Sequence, residues 1–197
     1  MTGLTKCDWP LDGGMMEKYH DEEWGIPLHD DRKQFEFLIM EAMQCGLSWA
    51  IVMKKREILR KCFDDFDFYR IAEYDDNRLD EIMETHGMLH SMPKIKAVVN
   101  NAKKFIEIID EWGSFDKYIW HFTDGKTMVY RANQFIMPPQ NELSETIAKD
   151  IKRRGFKYLG PVTIYSYLQA AGIINDHQEK CFLYKHIIEN YPCEFVD

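Results

Sequence analysis

Four residues near the two ends of the chain have the chemistry of a metal site. Cys7 and His20 lie 13 positions apart near the N-terminus, and His177 and Cys181 form an H-x-x-x-C near the C-terminus. Residues four apart on a helix share a face, so a helical 177–181 segment presents both side chains to a single ion. Two thiolates and two imidazoles suit tetrahedral Zn2+. With four protein ligands no position stays open for water. Such a site would be structural and would tie the two ends of the chain together. The spacing equally admits two buried cysteines and two histidines with unrelated partners, because the Cys7/His20 half is not specific.

A second candidate lies in Glu41–Trp49, EAMQCGLSW. Phe35, Leu38, Ile39 and Ala42 recur at helical spacing before it, and Ile51, Val52 and Ile58 after it. Gly46 suits a helix end, and Ser48 suits the N-cap of a second helix that Trp49 opens. Glu41 borders the apolar face, where a carboxylate is costly without a partner. A carboxylate and an indole joined by a turn can line a pocket for a flat polar ligand. A buried structural pair is the competing reading. Trp9, Tyr19 and Trp24 belong to the same N-terminal quarter. They are either core, as most aromatics are, or further walls of a pocket that stacks a nucleobase.

The third candidate is RGFKYLGPVT, Arg154–Thr163. Helix, glycine-bounded turn and helix make a helix-hairpin-helix. Gly155 and Gly160 let the backbone approach another molecule, and the amides opening the second helix can bind an anion. Lys152, Arg153, Arg154 and Lys157 add positive charge. Together these describe a DNA phosphate clamp that reads no bases. An ordinary helix pair with a solvated basic end fits the same letters.

The elements that must position these residues read as helices throughout. Helices are expected from Asp30 or Asp31 to about Cys45, from Ser48 to about Cys62, and from Asp76 to Gly87. Further helices are expected from Ser91–Pro93 to Gly113, from Ser114, from Ser144 to Gly155, from Pro161 to Ala171, and from Gln178 to Glu189. Residues 123–140 carry Gly125, Pro138 and Pro139, and read as a loop with a short strand at Thr127–Tyr130. The class is all-α. The chain of 197 residues is expected to form a single compact unit, with residues 1–30 and 172–197 as stapled terminal segments and 31–171 as the helical body. No apolar run is long enough to cross a membrane, and no signal core opens the chain, so the cytoplasm is expected. The five cysteines are an odd count that argues against a disulfide framework. A net charge of −8 argues mildly against a nucleic-acid partner unless the basic residues share one face.

Taken together, these residues resemble the DNA-3-methyladenine glycosylase I family, usually called Tag. The resemblance runs from Cys7 to about Cys181. It rests on Y-H-D-x-E-W-G at Tyr19–Gly25, on Glu41 with Gln44-x-Gly46-Leu47-Ser48-Trp49, and on Arg154–Lys157 with Gly160-Pro161. It also rests on Asn175-Asp176-His177 followed by Cys181. The resemblance implies a helical bundle of the helix-hairpin-helix glycosylase superfamily with one structural Zn2+ on Cys7, His20, His177 and Cys181. It implies hydrolysis of the N-glycosidic bond of 3-methyladenine in alkylated double-stranded DNA, with a free base and an abasic site as products, by a monomer. Glu41 would recognise and electrostatically favour the base, Trp9, Tyr19, Trp24 and Trp49 would surround it, and Gly46 and Leu47 would fill the gap it leaves. Gly155, Lys157 and Gly160 would grip phosphate.

Ala42, Met43 and Cys45 depart from the family pattern of Gly, Gln and Ala, which bears on the turn and spares Glu41 and Trp49. The position of the superfamily's Schiff-base lysine is Val162 here, and valine forms no imine. The reaction is therefore expected to stop at base excision. Asp176 lies where the superfamily has a catalytic aspartate; capping or supporting His177 is the other role open to it. The rival readings are a non-catalytic helix-hairpin-helix scaffold and an alkylbase glycosylase of broader specificity.

Overall fold

A computed structural model describes residues 4–9, 13–134 and 136–197. In chain order the elements are α1 (Met15–Glu22), α2 (Asp31–Gln44), α3 (Trp49–Cys62), α4 (Phe68–Ala72), α5 (Asp76–Glu84), α6 (Met92–Trp112) and α7 (Phe115–Trp120). They continue with β1 (Thr127–Tyr130), α8 (Glu142–Arg153), α9 (Pro161–Ala170), α10 (Phe182–Asn190) and β2 (Cys193–Val196). The protein is mostly helical, as expected.

Helix α2 organises the fold. Every residue from Gln34 to Met43 is buried, and the helix contacts α3, α6, α7 and α9. A helix covered on all sides carries a weak apolar stripe, because every face meets core. Asp30 caps it by accepting from the Lys33 amide at 2.8 Å. At its far end, Lys94 of α6 donates to the carbonyls of Met43 (2.8 Å) and Cys45 (2.5 Å). A cation on these last carbonyls fixes the α2–α3 turn. Gly46 follows with φ +83°. Ser48 occupies the N-cap of α3, although its side chain makes no capping bond.

Two helix starts differ from expectation, and two short helices, α1 and α4, are additional to it. Helix α8 begins at Glu142, because Asn141 accepts from the Ser144 amide while the Ser144 hydroxyl accepts from the Asn141 amide; Ser144 closes the cap from inside the first turn. Helix α10 begins at Phe182, so His177 and Cys181 do not share a helix. Cys181 is its N-cap residue and His177 sits in the loop before it. Helix α1 was not anticipated, because its buried residues, Tyr19 and His20, are neighbours rather than helically spaced.

The chain is not purely α. Strand β1 pairs in parallel with β2, with Thr127 opposite Cys193 and Tyr130 opposite Val196. The segment after Cys181 is thus bound by a backbone ladder, and Ile187 is fully buried. Among the described residues a continuous apolar cluster runs from Cys7 through α2, α6 and α9 to Ile187.

Candidate functional site

Buried α2 carries two carboxylates with opposite fates. Glu36 accepts from Arg56 at 2.8 Å and Arg60 at 2.9 Å and pairs with Lys33 at 3.0 Å. Burial opposes its ionisation, yet these cations outweigh burial and hold its pKa below the usual carboxylate value. Glu41, five residues on, is 4 % exposed and its Oε2 has no hydrogen-bond partner. Burial pushes its pKa up to about 8. A buried carboxylate without a partner costs stability. Glu36 and Glu41 thus lie on one buried helix, the first met by three cations and the second, at Oε2, by no hydrogen-bond donor among the described residues.

Glu41 opens into a cavity of about 230 Å3, and all five sequence candidates line it: Trp9, Tyr19, Trp24, Glu41 and Trp49. The Tyr19 and Trp49 rings are 5.6 Å apart, and Trp9 meets Trp24 edge-on at 5.0 Å. The Tyr19 hydroxyl is buried and, like Glu41 Oε2, unpartnered. Tyr19 is held edge-on against Phe37, beside the Arg56–Glu23 pair, whose two bonds measure 2.7 and 2.6 Å. Arg56 and Lys33 overcome the burial of Glu23 and bring its pKa down to about 2. Glu23 thereby anchors the Tyr19–Gly25 motif to the body of the protein. Met16, Gln44, Ser166 and Gln169 complete the lining. Ser166 and Gln169 were missed; their signal was that, with Thr163, they repeat at a spacing of three along a mainly apolar helix.

A second cavity of about 370 Å3 adjoins the first, sharing Glu41, Gln44 and Ser166 and adding Cys45, Gly46, Leu47, Val162 and Thr163. Gly46 and Leu47 therefore sit where the α2–α3 turn faces the start of α9. The Cys45 thiol lies 3.6 Å from the Tyr158 carbonyl and 3.7 Å from the Thr163 hydroxyl, so this departure from the family pattern packs the turn against the segment that leads from α8 into α9.

Cys7, His20, His177 and Cys181 converge, all buried, with their candidate ligand atoms within 4.8 Å of one another. Cys7 Sγ lies 3.5 Å from His177 Nδ1, and Cys181 Sγ lies 3.6 Å from His20 Nε2 and 3.7 Å from His177 Nδ1. Zn–S bonds of ~2.3 Å and Zn–N bonds of ~2.0–2.1 Å at tetrahedral angles put sulfur and nitrogen about 3.6 Å apart. The cluster thus has the dimensions of the tetrahedron its donor set suits. Each imidazole is also held from its far side: His20 Nδ1 is 2.8 Å from Asp21 Oδ1, and His177 Nε2 is 3.0 Å from the Trp24 carbonyl. Such outer bonds fix the tautomer that turns the other nitrogen inward.

The turn between α8 and α9 is held from behind by α6. The Lys157 amide donates to Asn101 Oδ1 at 2.8 Å, Asn101 Nδ2 donates to the Lys157 carbonyl at 3.0 Å, and Asn100 Nδ2 donates to the Gly155 carbonyl at 2.9 Å. Gly155 adopts φ +95°. Gly160 caps α9, and the Val162 and Thr163 amides in its first turn have no intrahelical acceptor. Not every basic residue here is available: Arg154 pairs with Glu111 and Asp150, and Arg153 with Asp150. Asp176 is buried behind the cavity wall, accepting from Asn133, Tyr165 and Gln169.

The site is thus a mostly helical body that sets a buried carboxylate among indoles, with a cavity beside it that reaches the start of α9. The family model described as methyladenine glycosylase matches residues 9–184. DNA-3-methyladenine glycosylase 1 of Escherichia coli (strain K12) is 33% identical over 92% of this chain and 97% of its own length. The DNA-3-methyladenine glycosylase of Haemophilus influenzae is 35% identical over 90% and 96%. A structure of 3-methyladenine DNA glycosylase I from Staphylococcus aureus, solved to explain 3-methyladenine recognition, superimposes with a TM-score of 0.84 at 32% identity, covering 91% of this chain and 96% of that one. The chain belongs to the methyladenine glycosylase family.

Proposed function

We propose that this protein is a DNA base-excision repair enzyme. It hydrolyses the N-glycosidic bond of 3-methyladenine in alkylated double-stranded DNA, releasing the free base and leaving an abasic site. The observation that carries this reading is the orphaned Glu41 carboxylate inside a cavity walled by Tyr19, Trp24 and Trp49.

A damaged base must leave the duplex before a cavity can hold it. In DNA the N3-methylated base carries positive charge, so it departs with little general-acid help. It is drawn to the indole and phenol faces by cation–π attraction. Glu41 accepts from the adenine edge and, when ionised, favours the cationic ring. Because Glu41 borders both cavities, the base occupies the aromatic one and the sugar faces the other. Gly46 and Leu47 fill the gap left in the duplex; Leu47 is 37% exposed there. Gly155, Lys157 and Gly160 present the α9 amides and one lysine charge to phosphate, as a helix-hairpin-helix does. Val162 offers no amine, so the strand stays intact.

Cys7, His20, His177 and Cys181 are the ligands of one structural zinc ion, which would cross-link the terminal segments. In this reading residues 1–197 act as one unit and as a monomer, with the terminal segments stapled onto the helical body. No described helix is long and apolar enough to cross a membrane.

Incubation with methylated duplex DNA, followed by chromatography of released bases and heat-labile strand analysis, tests the proposal. Free 3-methyladenine with strand breaks only after heating is the expected result. Absence of released base overturns it in favour of a binding scaffold, and equal release of 7-methylguanine overturns the narrow specificity.

A further inference from the structure

We propose that Gln169 is a recognition residue of this cavity. Asp176 holds its amide so that the carbonyl oxygen faces the bound base and selects a 6-amino over a 6-oxo purine. The inference rests on the excision of 3-methyladenine proposed above.

The orientation of an amide is set by its partners. Gln169 Nε2 lies 2.8 Å from Asp176 Oδ2 and 3.0 Å from Met137 Sδ. Both neighbours are acceptors, so both N–H groups are spent in the cavity wall. Asp176 enforces this. It is 4% exposed, and its oxygens also accept from Asn133 Nδ2 at 2.7 Å and the Tyr165 hydroxyl at 2.6 Å. A carboxylate saturated with donors from three sides requires an N–H from the glutamine. Among the described residues nothing donates to Gln169 Oε1, while the residue lines the same cavity as Glu41.

The cavity therefore offers one acceptor of fixed orientation, Gln169 Oε1, and a second in Glu41. An exocyclic amine carries two N–H groups and can satisfy both. A 6-oxo purine places a carbonyl in the same position, loses the bond to Gln169 Oε1 and leaves that acceptor unpaired against the ligand. Sites built to hydrogen-bond a ligand reject the analogue that lacks the group. Asp176 is thus a positioning residue acting through Gln169.

Quenching of tryptophan fluorescence reads binding of two free bases, 3-methyladenine and its 6-oxo counterpart 3-methylhypoxanthine, because Trp9, Trp24 and Trp49 line the cavity. Gln169→Met should weaken 3-methyladenine binding about 10-fold and shrink the amino-over-oxo preference by a similar factor. Asp176→Asn supplies an N–H that pairs with Gln169 Oε1 and turns the amide over. At unchanged metal content and melting temperature, its preference should shift towards the 6-oxo base. An amino-over-oxo ratio that neither folded variant alters overturns the role of Gln169 while leaving the proposed function standing. Failure of the unmodified protein to bind 3-methyladenine overturns both.

Discussion

The Trp24 carbonyl lies 3.0 Å from His177 Nε2, and their rings meet edge-on at 4.6 Å. One residue therefore touches the Cys/His cluster with its backbone and the aromatic cavity with its indole. Gly25 makes this approach possible. It holds φ +78°, and a Cβ there would lie 2.5 Å from His177 Nε2. Cluster and cavity are mechanically continuous through a single peptide.

That continuity predicts what metal removal does. Elemental analysis should find about one zinc per chain. Stripping it with a chelator, or Cys181→Ala, should lower the melting temperature by at least about 10 °C. Binding of 3-methyladenine should weaken as well, although no ligand of the cluster lines the cavity. Gly25→Ala should do the same with all four ligands present. A zinc-free sample that melts and binds normally refutes the staple.

Glu41 makes a pH prediction with a definite sign. Its folded-state pKa, about 8, lies above the ordinary glutamate value of 4.5. The folded state therefore holds a proton that the unfolded state releases. Its contribution is fully present below pH 4.5 and is lost as pH rises through 8. Glu41→Gln should match the parent's stability at pH 4 and exceed it at pH 8 by ~1–4 kcal/mol, seen in urea titrations. Activity should move the other way. In the parent, kcat/KM should rise with pH towards a plateau above about 8, because the ionised form favours the cationic base. Glu41→Gln should lose that rise and at least ~100-fold in rate. A pH-independent parent profile, or an unstable glutamine variant, contradicts this role.

How much of this was legible in the letters differs by element. The long helices announced themselves through caps and apolar spacing, as in α6 with Pro93 and Gly113. The five aromatic and acidic pocket residues were legible because Glu41 stands against an apolar face and Trp49 follows a turn. Helix α1 was not legible, since its two buried residues are adjacent and one of them, His20, is buried for the cluster. The convergence of Cys7, His20, His177 and Cys181 was expected through the wrong local geometry: His177 and Cys181 meet across a loop and an N-cap, which spacing alone cannot distinguish from one helix face. Strand β2 was invisible because its partner lies 66 positions away, and β1 is only four residues long. Ser166 and Gln169 were hidden by their setting, an apolar helix whose polar exceptions gain meaning only beside Glu41.

Tyr19→Phe separates recognition from stability. The hydroxyl is buried without a partner, so removing it relieves a desolvated polar group. The variant should be as stable as the parent or more so, by up to ~1 kcal/mol in denaturant titration. Its affinity for 3-methyladenine should fall several-fold, because the hydroxyl's available partner is the bound base. A loss of stability with unchanged affinity would instead make Tyr19 a structural residue.

The α8–α9 turn makes the last prediction, and salt is the variable that exposes it. Lys157 sits on a turn whose backbone is clamped by Asn101 through two hydrogen bonds of 2.8 and 3.0 Å. Neighbouring Arg154 is already committed to Glu111 and Asp150. If Lys157 meets one phosphate, Lys157→Ala should reduce the slope of log K against log salt by about 1. The loss should be equal for methylated and unmethylated duplexes, because phosphate contacts carry no sequence information. Asn101→Leu should also weaken binding to both duplexes, since it frees the backbone that presents the amides. It leaves every lysine in place, so its salt slope should stay closer to the parent's than that of Lys157→Ala. A lysine variant with an unchanged slope would move the phosphate contact elsewhere. An asparagine variant that loses methylated-base excision but keeps duplex affinity would show that α6 supports the cavity rather than the clamp.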